Sequence, residues 1–115
     1  MKVLIIEDDK FMAESLATKF KEAGFDIARL ESGEKVIAET ITQKPDVIIL
    51  DILLPGKNGF EILAELKENK ATKKIPVIIV SNLGSKEDFE KGRQFGAASF
   101  MIKATVTPEE IVEKT

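Results

Sequence analysis

No cysteine and no histidine occur among the 115 residues. Without cysteine there are no disulfides, thiolate metal sites or cysteine nucleophiles. Without histidine there is no imidazole catalysis, no imidazole ligation and no histidine phosphodonor. Any chemistry must therefore run on carboxylates, hydroxyls, lysines and backbone groups. An excess of positive charge is also missing. Lys+Arg 17 against Asp+Glu 20 gives a net charge of -3, which provides no electrostatic footprint for nucleic acid or a membrane surface. Long hydrophobic runs are absent too. Met1-Lys2 is followed only by Val3-Leu4-Ile5-Ile6 before Glu7-Asp8-Asp9, too short for a signal peptide. Nothing approaches the ~20 apolar residues of a membrane span. These absences fit a cytoplasmic protein. What remains is an ordinary globular mixture, 43% hydrophobic and 32% charged, of a length that suits one domain, residues 1–115.

Strand-length apolar runs alternate with helix-period segments. Val3–Ile6, Val47–Leu50, Val77–Val80 and Ser99–Ile102 are short and mostly apolar throughout, as expected of strands covered on both faces. Phe25–Leu30 is a weaker, alternating run. Between them, Met12, Leu16 and Phe20 repeat at helical spacing up to Gly24. Ser32 is a candidate cap for a helix carrying Val36, Ile37 and Ile41 and closed by Pro45. Phe60, Leu63, Ala64 and Leu66 mark a third helix after Gly59. Ser85-Lys86-Glu87-Asp88 reads as a capping box for a fourth, with Phe89 inward. Thr107-Pro108-Glu109-Glu110 starts a short fifth helix. A strict strand–helix alternation implies a parallel sheet with helices on both faces, in which ligands bind beyond the carboxyl ends of the strands.

Those ends carry Glu7-Asp8-Asp9, Asp51, Ser81-Asn82 and Lys103. In strand order 2-1-3-4-5 the first and third strands are neighbours, so Asp8 and Asp51 converge. Each residue alone has an ordinary reading: Asp9 as a helix cap, Ser81 as turn chemistry, Lys103 as a solvated cation. Taken together, clustered carboxylates with no nitrogen or sulfur donor point to a hard cation such as Mg2+. A lysine and a hydroxyl opposite them suit phosphate oxygens. The set looks like a site where a carboxylate attacks a phosphoryl group.

With these residues in place, the chain resembles the receiver domain of two-component response regulators, of the stand-alone chemotaxis-regulator type. The resemblance rests on Ile5-Ile6-Glu7-Asp8-Asp9, the run from Asp46 to Gly56 centred on Asp51, Gly59-Phe60-Glu61-Ile62-Leu63, and Gly96-Ala97 followed by Phe100 and Lys103. It implies a flavodoxin-like three-layer sandwich with a five-stranded parallel sheet. Asp51 becomes the phosphoacceptor, Asp8 the direct Mg2+ ligand, Glu7 its neighbour acting through water, and the Leu53 carbonyl a further ligand. Lys103 pairs with the phosphoryl group. Ser81 is the switch hydroxyl and Phe100 the aromatic switch residue. A sensor histidine kinase or phosphotransfer protein supplies the phosphoryl group. An output protein reads the surface around the fourth helix, fifth strand and fifth helix, with no direct nucleic-acid or membrane contact. The only catalysis implied is Mg2+-dependent self-phosphorylation and self-dephosphorylation.

The chain departs from the family pattern in places. Ala104 follows Lys103 where the family has a cis proline. Without proline a cis bond costs about 2.5–4 kcal/mol, so a trans bond is expected. Asn82 stands where a small residue is usual. Gly92 lies inside the fourth helix, at a cost of about 1 kcal/mol against alanine. Leu53 and Leu83, which flank the path of a hydrolytic water, imply slow self-dephosphorylation. Two other readings are weaker. An aspartyl-phosphate phosphohydrolase of the haloacid dehalogenase type needs a second aspartate where Leu53 stands. A phosphorylation-independent scaffold has no use for Asp8, Asp51 and Lys103 together. Lys67, Lys70, Lys73 and Lys74 read as a solvated helix end.

Overall fold

The computed structural model describes all 115 residues. Strands and helices alternate along the chain: β1 (Lys2–Ile6), α1 (Lys10–Glu22), β2 (Asp26–Leu30), α2 (Val36–Gln43), β3 (Val47–Leu50), α3 (Gly59–Glu68), β4 (Val77–Ser81), α4 (Lys86–Gln94), β5 (Ser99–Ile102) and α5 (Pro108–Lys114). Every strand pairing is parallel and the order is β2-β1-β3-β4-β5. This is the parallel sheet that the alternation implies, in the doubly wound, flavodoxin-like form that the resemblance implies.

Strand pleating divides the apolar runs between two cores. Leu4, Ile6, Ile48, Leu50, Val77 and Ile79 pack with Val36 of α2 and with Phe60, Ile62, Leu63 and Leu66 of α3. The alternate residues, Val3, Ile5, Val47, Ile49, Ile78 and Val80, pack with Leu16 and Phe20 of α1 and Ile111 of α5. β1, β3 and β4 are covered on both faces. The edge strands β2 and β5 contain no fully buried residue, which is why their sequence patterns are weaker.

Local signals place most helix ends. The Asp9 carboxylate accepts the N–H groups of Phe11 and Met12 and caps α1. The expected capping boxes at Ser85 and Thr107 are both formed, and α5 has only 7 residues. The Lys103–Ala104 peptide is trans, like every other in the chain. Lys103–Thr105 forms a single 3₁₀ turn.

Three local expectations are corrected. Ser32 does not cap α2: the helix begins at Val36 after Lys35, with no side-chain cap. The preceding turn is set instead by Gly33, where a Cβ would meet the Ile62 side chain at 2.5 Å. Ile41 is exposed, because Thr40 sits one helical turn after Val36 and takes the buried place, donating its hydroxyl to the Val36 carbonyl at 2.6 Å. Phe89 is not fully inward. It is 37% exposed and lies edge-on against Phe100 of β5, ring centroids 4.6 Å apart.

Candidate functional site at the carboxyl edge of the sheet

β1 and β3 are adjacent in register, Ile6 beside Leu50, so the residues that follow each strand emerge together. Glu7 and Asp51 are buried and Asp8 is exposed. One carboxylate oxygen from each of the three lies within 4.8 Å of the others. Backbone bonds hold the ends in place: the Asp51 N–H donates to the Ile6 carbonyl at 3.0 Å, and the Glu7 N–H to the Leu30 carbonyl at 3.0 Å. Lys103, arriving from β5, donates to Asp51 Oδ2 at 2.9 Å and forms an ion pair with Glu7 Oε1 at 2.6 Å. The second oxygen of Asp51 accepts the Leu53 N–H at 3.2 Å, and that of Glu7 accepts the Asp9 N–H at 3.1 Å.

Two buried carboxylates thus share one ammonium, with the third, Asp8, exposed beside them. Burial pushes the Glu7 carboxyl up to about 7, and the neighbouring Asp51 charge adds to this, against the pull of Lys103 and the Asp9 N–H. Burial alone would lower the Lys103 pKa, but its bonds to Glu7 and Asp51 outweigh it and raise the pKa. The excess of negative charge, all on oxygen, suits a hard divalent cation.

Gly59 lets the loop after Asp51 close. A Cβ there would stand 2.5 Å from the Asp51 carbonyl oxygen and 2.5 Å from Ile52 Cα. Its N–H donates to the Ile52 carbonyl at 2.9 Å, which ties the start of α3 to the site. A glycine directly after the Asn58 helix cap was the available sequence signal.

A family model described as the response regulator receiver domain matches residues 3–115. The chain belongs to the response regulator receiver domain family. Protein PilH of Pseudomonas aeruginosa is 32% identical over 114 residues, covering 99% of this receiver and 93% of PilH. The phosphate regulon transcriptional regulatory protein PhoB of the same organism is 30% identical over 112 residues, covering 97% of the receiver but only 48% of PhoB, so the chain spans about half the length of that relative. The solved receiver domain of the Francisella response regulator 1452 superposes with a TM-score of 0.89 at 31% identity, covering 98% of this chain and 91% of that one.

Ser81 and Phe100 lie outside the carboxylate cluster. Ser81 ends β4 beside Ile102, the residue before Lys103, and is fully buried. Its hydroxyl accepts the Leu83 N–H at 3.4 Å. Phe100 is half-buried between Phe89 and Gly92 of α4. A Cβ on Gly92 would meet the Phe100 ring at 3.0 Å and Ile79 Cδ1 at 3.2 Å. The helix glycine that looked like a plain cost in the sequence is therefore the seat of the Phe100 ring. Leu53 is 53% exposed at the rim, whereas Leu83 packs against the core on the α2–α3 face. The direct Glu7–Lys103 ion pair had no sequence signal, since it joins two chain segments only through the sheet.

Proposed function

We propose that this receiver is a phosphorylation-controlled switch whose phosphoacceptor is Asp51. The observation that carries the reading is one buried carboxylate, Asp51, held by Lys103 at 2.9 Å within a cluster that also contains Glu7 and Asp8. A sensor histidine kinase or phosphotransfer protein presents a phosphohistidine. An Asp51 carboxylate oxygen attacks phosphorus, the P–N bond breaks, and the departing imidazole nitrogen takes a proton. Lys103 neutralises charge on the transferred group. Glu7, Asp8, Asp51 and the Leu53 carbonyl would hold Mg2+. The cation supplies charge neutralisation on the phosphoryl oxygens.

Once Asp51 is phosphorylated, the Ser81 hydroxyl gives up its bond from Leu83 N–H for the phosphoryl group. Phe100 then repacks against α4, changing the surface of α4, β5 and α5 that an output protein reads. The receiver acts on itself and on no separate substrate. No helix is long and apolar enough to cross a membrane.

Incubation with a small acyl phosphate and Mg2+, followed by intact mass measurement, tests the assignment. One added phosphoryl group is expected on the native chain and none on Asp51→Asn. Full labelling of the variant would move the acceptor elsewhere.

A further inference from the structure

At the edge where the strands begin, opposite Asp51, the end of α2 and the turn after α3 enclose a cleft of about 330 Å³. It is lined by Thr40, Ile41, Lys44, Pro45, Ala71 and Ile75. The floor is apolar, and Ile41 is 43% exposed there. The rim is basic. Residues 67–75 contain Lys67, Lys70, Lys73 and Lys74 against the single acid Glu68, and Lys44 stands on the opposite wall.

Lys67 is used internally. Its ammonium donates to the carbonyls of Lys73 at 3.2 Å and Ile75 at 2.8 Å. The buried Thr72 hydroxyl donates to the Leu66 carbonyl at 2.6 Å. These bonds fix the turn that presents Ala71 and Ile75, so the cleft is built before any ligand arrives. Lys44, Lys70, Lys73 and Lys74 form no ion pair. The acids of the adjoining elements have other partners: Glu39 accepts from Gln43, and Asp46 from the Lys2 N–H. Glu68 lines a separate hollow with Ile37, Glu65 and Asn69.

Favourable placement at a helix C-terminus accounts for Lys67 alone. Lys70, Lys73 and Lys74 lie beyond α3, and Lys44 belongs to the end of α2. Lys44 is also the one non-glycine residue with positive φ, 50°, a position that glycine or asparagine usually fills.

We propose that this cleft docks an acidic peptide segment of a partner protein. One apolar side chain seats on Ile41, Pro45, Ala71 and Ile75, and flanking carboxylates meet Lys44, Lys70 and Lys74. A recessed floor fits a single inserted side chain, whereas a bilayer surface is met by apolar residues that project. In a chain of net charge -3, Lys44 on one wall and a lysine-rich segment forming the other select acidic partners by charge complementarity. The surface is independent of the phosphoacceptor, so docking does not require phosphorylation.

Short random peptides displayed in a library and selected on the full chain test this. The enriched peptides are expected to be acidic around one or two large apolar residues. Binding of a synthetic enriched peptide should weaken with salt. It should fall by about tenfold or more in Lys44→Glu/Lys74→Glu and, separately, in Ile41→Asp, while Asp51→Asn binds normally. All three altered positions are exposed, and circular dichroism checks that the variants fold. Enrichment of neutral or basic peptides, no enrichment, or equal binding by the variants would overturn the proposal. So would sedimentation with phosphatidylserine vesicles in place of peptide binding.

Discussion

Glu7 holds the less comfortable position of the two buried carboxylates around Lys103. Its carboxyl titrates near 7 rather than 4.5, so between those values the folded chain keeps a proton that the unfolded chain has lost. The stability this proton contributes is complete below about 4.5 and is lost as pH rises through 7. With Mg2+ chelated, the native chain should lose on the order of 1–3 kcal/mol more than Glu7→Gln across that window, measured by urea denaturation at a series of pH values. Parallel curves would show that Glu7 carries no such linkage. Leu53 makes a second residue-scale prediction. Leu83 packs against the core, whereas Leu53 is 53% exposed at the rim, where it can obstruct a water approaching a phosphorylated Asp51 and offers no hydrogen bond to orient one. Leu53→Asn alone should therefore speed loss of the phosphoryl group from the isolated protein, followed by intact mass over time. An unchanged or slower decay would refute the shielding.

In α4 the helix gives way to an aromatic ring beside it. Its capping box fixes the start, yet Gly92 forgoes the helix preference of alanine, about 1 kcal/mol, and gives the Phe100 ring room. Phe89, three residues earlier on the same helix, packs edge-on against that ring at 4.6 Å, so a new methyl group at Gly92 meets a ring that already has a neighbour on α4. Gly92→Ala should yield its helix gain only where Phe100 has been trimmed. A double-mutant cycle with Phe100→Leu should show coupling of about 1 kcal/mol, and strict additivity would mean that α4 and the ring adjust independently. α3 is bound to the site more rigidly still, because its first residue, Gly59, rests against the backbone of Asp51 and Ile52.

Across the whole molecule, the three clustered carboxylates gather at one edge of the sheet and the cleft beside Lys44 lies at the other. Repulsion among Glu7, Asp8 and Asp51 is a strain on the folded state that a bound cation relieves, and the unfolded chain does not bring these residues together. Mg2+ should therefore stabilise the receiver by mass action, by about 2.7 kcal/mol at a hundredfold excess over Kd, read as a rise in melting temperature that a chelator reverses. Asp8→Ala should need more Mg2+ for the same rise, since it removes a carboxylate without disturbing the core. A melting temperature indifferent to Mg2+ would argue that the cluster holds no cation.

The order of elements was legible in the chain because its signals are local. Apolar runs, the boxes at Ser85 and Thr107, and the acids and lysine that follow β1, β3 and β5 all lie within a few residues of what they specify. Alternation of strand and helix implied a parallel sheet, and the family resemblance implied its strand order, so the meeting of Asp8, Asp51 and Lys103 at one edge was also within reach. Tertiary structure decided the rest. α2 starts at Val36 rather than after Ser32, in a turn where Gly33 lies too close to Ile62 for a side chain. The Phe100 ring gave Gly92 its purpose. The sheet brought Glu7 into direct contact with Lys103, and Leu83 packs against the core. Each of these depends on atoms far apart in sequence and in van der Waals contact or hydrogen-bond range in the fold, a coincidence that no local pattern of residues encodes.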